Sequence, residues 1–179
     1  MKKLIIPTLF IGTIAMIVVM AKTGATLKTP VTPKGILDLE FAYTTAKTTV
    51  VTEAWANNNF INNITVAKIN TCFDFIFLFF YSFFLFFTNK KIAEISSGKF
   101  GTIGLIIAKG ALLAGLFDIA ENVGMLITLS GFSSGTIAFI TTICSLIKWG
   151  LAFIAIAYCI VGLTYLTGKR KLHWLFLNS

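Results

Sequence analysis

The sequence predicts an all-α fold, a four-transmembrane-helix bundle with a small extracytoplasmic cap between helices 1 and 2. Three observations predict it. Of 179 residues, 56% are hydrophobic and only 12% charged, with a mean hydropathy of +0.87. Soluble domains run at about 45–50% apolar and about 25% charged. Four apolar stretches stand out, and the lysines collect at their ends. Together these exclude a disordered chain, a collagen and a disulfide-dense secreted knot, and they weigh against a water-soluble enzyme. The length suits a single integral membrane domain, residues 1–179.

The first span, residues 4–20, is uncharged and follows Met1-Lys2-Lys3. A signal peptide has the same form, with Val19-Met20-Ala21 as its cleavage site, but the segment is taken as a retained anchor. The second, residues 70–87, holds nine of the 18 phenylalanines, a lipid-facing and packing surface. The third and fourth cover residues 102–129 and 135–166. Each reaches across about 30 Å of hydrocarbon at about 1.5 Å per residue, and the last two exceed it.

Between the first two spans, the cap of residues 22–68 is too long for a structureless loop. Pro30 and Pro33 keep its start extended. Leu37 to Phe41 alternates at period two, which predicts a short strand or extended strip. Thr44 to Trp55 predicts an amphipathic helix with Ala46, Val50, Val51, Ala54 and Trp55 on one face. Asn57-Asn58-Asn59 ends it, and Asn63-Ile64-Thr65 reads as a glycosylation sequon.

Fifteen Lys+Arg against seven Asp+Glu leave a net charge of +8. With a single arginine among them, bidentate contacts to phosphates and bases are scarce, and no nucleic acid partner is expected. The cations flank the spans instead: Lys2 and Lys3, then Lys90, Lys91 and Lys99, then Lys169, Arg170 and Lys171. This places both termini in the cytoplasm. The five lysines of the cap run against that rule, which long segments obey weakly. Cys72, Cys144 and Cys159 have neither CxxC spacing nor an even count, so they read as small apolar packing residues. The one histidine, His173, lies in the tail, so a histidine-ligated haem or zinc site in the membrane is not expected.

Ionisable residues inside a membrane helix are costly and face the bundle interior or a wet cavity. Lys109 snorkels. Asp74, Asp118, Glu121 and Lys148 do not fit that explanation. At 100° per residue, Asp118, Glu121 and Asn122 share one face of the third helix, which continues as the small-residue stripe Gly115, Ala111, Ala108 and Gly104. The fourth helix carries a matching stripe: Thr141, Cys144, Ser145, Lys148, Ala152, Ala155, Cys159 and Gly162. Asn70, Asp74 and Tyr81 line the second. Asp74, Asp118, Glu121 and Asn122 are the candidate ion or substrate ligands, and Lys148 their charge partner. Glu40, on the face of the strip opposite Leu39 and Phe41, is either a further ligand from the cap or a solvated acid. Three carboxylates against one ammonium leave excess negative charge, which calls for a retained proton or a bound cation. The alternative is that these groups only fix helix register.

Gly35-Ile36-Leu37-Asp38-Leu39-Glu40-Phe41-Ala42, Trp55, Cys72-Phe73-Asp74-Phe75 and Asp118-Ile119-Ala120-Glu121-Asn122 together resemble an uncharacterised bacterial four-helix integral membrane protein family. Its marks are a G-I-x-x-x-E-x-A strip, an L-D-F-x-F helix start and a D-x-x-E-N transmembrane helix. Cys72-Phe73 stands here where that family has leucine before the aspartate. The resemblance covers Gly35 to Asn122 and implies the bacterial inner membrane, with no activity. It emphasises Glu40, Asp74, Asp118, Glu121 and Asn122, and not Lys148.

Three functions stay open at this level. The first is binding, or transport, of a cation, proton or small polar headgroup in an acidic pocket in the outer half of the bundle. The second is an enzyme acting on a lipid or isoprenoid through paired carboxylates or a divalent cation held by Asp74, Asp118 and Glu121. The third is a non-catalytic subunit of a larger membrane complex. Membrane lipid is the expected partner, with a homo-oligomer or larger assembly open.

Overall fold

A computed structural model of the protein describes residues 4–56 and 62–168. Among the described residues six α-helices follow one another: α1 Ile5–Thr23, α2 Ile36–Glu40, α3 Thr45–Ala56, α4 Asn63–Ile95, α5 Gly98–Leu129 and α6 Gly135–Gly168, with a 3-10 turn at Ala25–Leu27. No strand occurs among the described residues. Helices α1, α4, α5 and α6 are each long and apolar enough to cross a membrane. Lys2, Lys3, Asn57-Asn58-Asn59, Lys169, Arg170, Lys171 and His173 lie outside the described residues.

Helix boundaries follow local chemistry. The Thr44 hydroxyl accepts the Lys47 N–H at 3.3 Å at the start of α3, the Asn62 side chain accepts that of Thr65 at 3.1 Å at the start of α4, and the Ser134 hydroxyl that of Ile137 at 3.2 Å at the start of α6. Gly98 and Gly131 take φ of 66° and 93° and interrupt the chain on either side of α5. Between Asn63 and Ile95 no glycine or proline intervenes. Helix α4 therefore runs well beyond the apolar core at 70–87, carrying Lys68 at one end and Lys90, Lys91 and Glu94 at the other.

The chain divides into two compact units, and each long helix contributes to both. The first unit comprises described residues 4–14, 78–116 and 148–168. Its helices meet where side chains are small. At Gly12 an added Cβ would run into the Phe80 ring, at Gly104 into the Tyr158 hydroxyl, and at Gly162 into Ile92. Ile92, Tyr158, Cys159 and Leu166 form its buried cluster. The Tyr158 hydroxyl donates to the Phe100 carbonyl at 3.2 Å, and the two rings stack at 4.7 Å. Asn89, fully buried, donates to the Ala155 carbonyl at 3.0 Å and ties α4 to α6. The phenylalanines of α4 pack largely on one another and on α1, as in the Phe10–Phe84 pair at 5.3 Å.

The second unit, residues 15–77 and 117–147, contains the segment between α1 and α4. Its core gathers Leu27, Leu39, Val51, Trp55, Ala67, Met125 and Leu129. Trp55 is completely buried. Its indole N–H donates to the Leu27 carbonyl at 3.0 Å and to the Thr32 hydroxyl at 3.1 Å. The Thr32 hydroxyl in turn donates to that same carbonyl at 2.7 Å. Asn70 from α4 donates to the Met20 carbonyl at 3.0 Å and to the Thr23 hydroxyl at 2.7 Å, which satisfies the end of α1. Asn63, the sequon asparagine, is fully buried and donates to the Thr26 carbonyl at 3.1 Å. Its amide nitrogen is spent within the fold.

Two expectations need correction. The segment from Leu37 to Phe41 is no strand or extended strip: Ile36–Glu40 is a short helix. Gly35 introduces it at φ 64°, ψ −127°, a conformation that only glycine adopts without strain. The Asp38 carboxylate then accepts the Lys34 N–H at 2.8 Å. In α3 the buried residues are Thr48, Val51 and Trp55, spaced i, i+3, i+7, while Ala46 and Val50 are exposed. The Thr48 hydroxyl bonds Ser133 at 2.7 Å, so a polar residue takes the inward position.

Trp55→Phe should lower stability by about 1–2 kcal/mol, since the Leu27 carbonyl and Thr32 lose a buried donor. Denaturant unfolding in detergent, followed by helical circular dichroism, measures it: the midpoint falls while the native helix content stays.

Candidate functional site

All five residues named from sequence as candidate ligands lie in the second unit, and all are buried. Glu40 is 4% exposed, Asp74 7%, Asp118 2%, and Glu121 and Asn122 0%. Periodicity explains α5. At positions i, i+3 and i+4, Asp118, Glu121 and Asn122 fall on one inward face, while their neighbours Ile119 and Val123 are exposed. The Asn122 amide donates to the Asp74 carboxylate at 2.9 Å, a direct link from α5 to α4. The amide oxygen of Asn122 finds no hydrogen-bond donor among the described residues. Glu121 lies close enough to the Cys144 thiol of α6 for the two to interact electrostatically.

Glu40 reaches the same unit from α2. The Ser145 hydroxyl of α6 donates to its carboxylate at 3.1 Å, and the Thr142 hydroxyl to its backbone carbonyl at 2.9 Å. The solvated-acid reading is thereby overturned. The helical turn also changes the geometry: Glu40 is buried beside Leu39 rather than opposite it, and Phe41 is the exposed neighbour. Thr142 was not among the residues singled out from sequence. Its signal was available, since Thr141, Thr142 and Ser145 place three hydroxyls within little more than one turn of α6.

Close approach of α5 and α6 comes from Gly124. A Cβ there would collide with the Thr141 hydroxyl, which makes no hydrogen bond among the described residues. Every member of the small-residue stripes proposed for α5 and α6 is buried, with Gly104, Ala108, Ala111 and Gly115 on one helix and Thr141 through Gly162 on the other. Lys148 is 6% exposed and belongs to the first unit, its ammonium 5.5 Å from the Trp149 ring centroid. Lys109 is exposed, consistent with snorkelling. Cys144 and Cys159 are buried, but Cys72 is exposed and does not serve as a packing residue.

Among the described residues, no three His, Cys, Asp or Glu side chains are grouped so as to hold a metal ion, and that includes Asp74, Asp118 and Glu121. Asn122 and Ser145 instead offer neutral donors to two of the acids. Such donors satisfy a carboxylate's lone pairs without adding charge. The chain matches no protein-family model, no curated protein and no solved structure.

Gly124→Ala should destabilise the protein by about 1–3 kcal/mol through overpacking against Thr141. In unfolding measurements in detergent, the Gly124→Ala/Thr141→Ala double variant should recover most of that loss, because removing the hydroxyl makes room for the new methyl. Equal losses in single and double variants would show that the two positions are not in contact.

Proposed function

We propose that this protein is a multi-pass membrane protein that binds a cation, the proton being the smallest, at the buried acids of its second unit. The observation that carries the reading is a concentration of buried acids: Glu40, Asp74, Asp118 and Glu121 are all buried in the second unit, whose lysines are not. Burial penalises the ionised form of a carboxyl, so such a group of acids favours uptake of a proton or another exchangeable cation. Asn122 and Ser145 would orient Asp74 and Glu40 around it. Both termini face the cytoplasm in this reading, in a bacterial inner membrane, and the segment between α1 and α4 faces outward.

Purified protein in lipid nanodiscs tests this in two measurements. Infrared spectroscopy reads protonated carboxyls directly by their C=O stretch, and equilibrium dialysis reads binding of sodium, potassium, magnesium or calcium. We expect a protonated-carboxyl band at neutral pH that shrinks in Asp118→Asn or Glu121→Gln, or displacement of that band by one of the cations. A wild-type protein with every carboxyl ionised and no cation retained would defeat the reading. A reporter fused to the C-terminus should be active only on the cytoplasmic side; activity on the outer side reverses the orientation.

A further inference from the structure

A second candidate site lies along α2 and α3 and does not include Glu40. Helices α2 and α3 and the turn before them enclose an open groove of about 450 Å³, within the roughly 300–1,000 Å³ usual for small-molecule sites. Val31, Leu37, Phe41 and Val50 give it an apolar lining, and Lys34 and Lys47 stand at it as well. The lining continues onto the surface: Val31 is 57% and Val50 53% exposed. Exposed aliphatic side chains flanking a groove extend its apolar track outward.

The charges around this groove are arranged for an anion. The Lys47 ammonium sits 4.1 Å from the Tyr43 ring centroid, which holds it in place. Asp38, the one acid in the lining, accepts the Lys34 backbone N–H and offsets one of the two ammoniums, which leaves a net positive charge at the groove. Lys28 adds to the local charge, since its side chain packs beside Gly35 at the head of α2. All five lysines of the second unit fall in residues 22–68, and none in 117–147. These are the same lysines that oppose the positive-inside rule. A ligand-binding role gives them a reason to be there that topology does not.

We infer that this groove binds an anionic phospholipid of the surrounding membrane, with one acyl chain along Leu37, Phe41 and Val50 and the phosphate between Lys34 and Lys47. Each lysine close to an anionic headgroup favours binding severalfold, so the pair should prefer an anionic to a zwitterionic lipid by roughly tenfold. The inference rests on the chain spanning a membrane and is independent of the acidic cluster.

The test uses the full chain in nanodiscs of equal phosphatidylcholine and phosphatidylglycerol, with retained lipid read by native mass spectrometry. Wild type should retain phosphatidylglycerol by about the tenfold preference stated. Lys34→Gln/Lys47→Gln should lose that preference, whereas Lys22→Gln/Lys68→Gln, which changes lysines outside the groove, should keep it. Val50→Trp, which fills the groove, should lose the bound lipid altogether. Equal retention of the two lipids by wild type, equal effects of the two lysine pairs, or full lipid occupancy in Val50→Trp would each overturn the proposal. So would a retained peptide in place of lipid.

Discussion

Helices of this length can bury polar groups only if their backbones come close together, and glycine permits it. In the first unit Gly104 receives the Tyr158 hydroxyl, and a Cβ on Gly115 would come within 3.0 Å of the Ser82 side chain; in the second, Gly124 receives Thr141. In each case a side chain with a hydroxyl occupies the volume a Cβ would need. Apolar surface alone would not hold such helices together in lipid, where tails are as apolar as leucine. Close packing and interhelical hydrogen bonds such as Asn122 to Asp74 and Asn89 to Ala155 supply the specificity. The inward faces of α5 and α6 are thus mostly small or polar, with Met125, Leu129 and Leu166 as large apolar exceptions, and their outward faces are mostly Ile, Leu, Val and Phe.

Charge is segregated to match. In the second unit the acids Glu40, Asp74, Asp118 and Glu121 lie inside, while the lysines stay at or near the surface. In the readings proposed above, the buried acids take up a cation and the surface lysines an anionic headgroup.

Much of this was readable in the sequence because helix periodicity is a strong signal. Asp118, Glu121 and Asn122 fall on one face at any helical register, and the small-residue stripes identify that face as buried. The ends of α4 were harder. Lys68, Lys90 and Lys91 mark where hydrocarbon would end, but a helix stops only where its backbone is interrupted, here near Gly98. The segment Leu37 to Phe41 misled because a five-residue stretch is too short for its period to distinguish strand from helix. The backbone at Gly35 decided it. Thr48 was missed for a different reason: its inward position depends on Ser133, 85 residues away, a partner that local pattern cannot reveal.

Because α2 is a single helical turn starting at a glycine-only conformation, it acts as a fixed-length spacer. Inserting or deleting one residue between Gly35 and Glu40 would rotate the carboxylate by about 100° about the helix axis. The acid would then swing off Ser145 and toward the exterior. This stretch therefore tolerates changes of side chain on its outer face but not of length, and an indel there would disconnect α2 from α6 without altering a single contact residue.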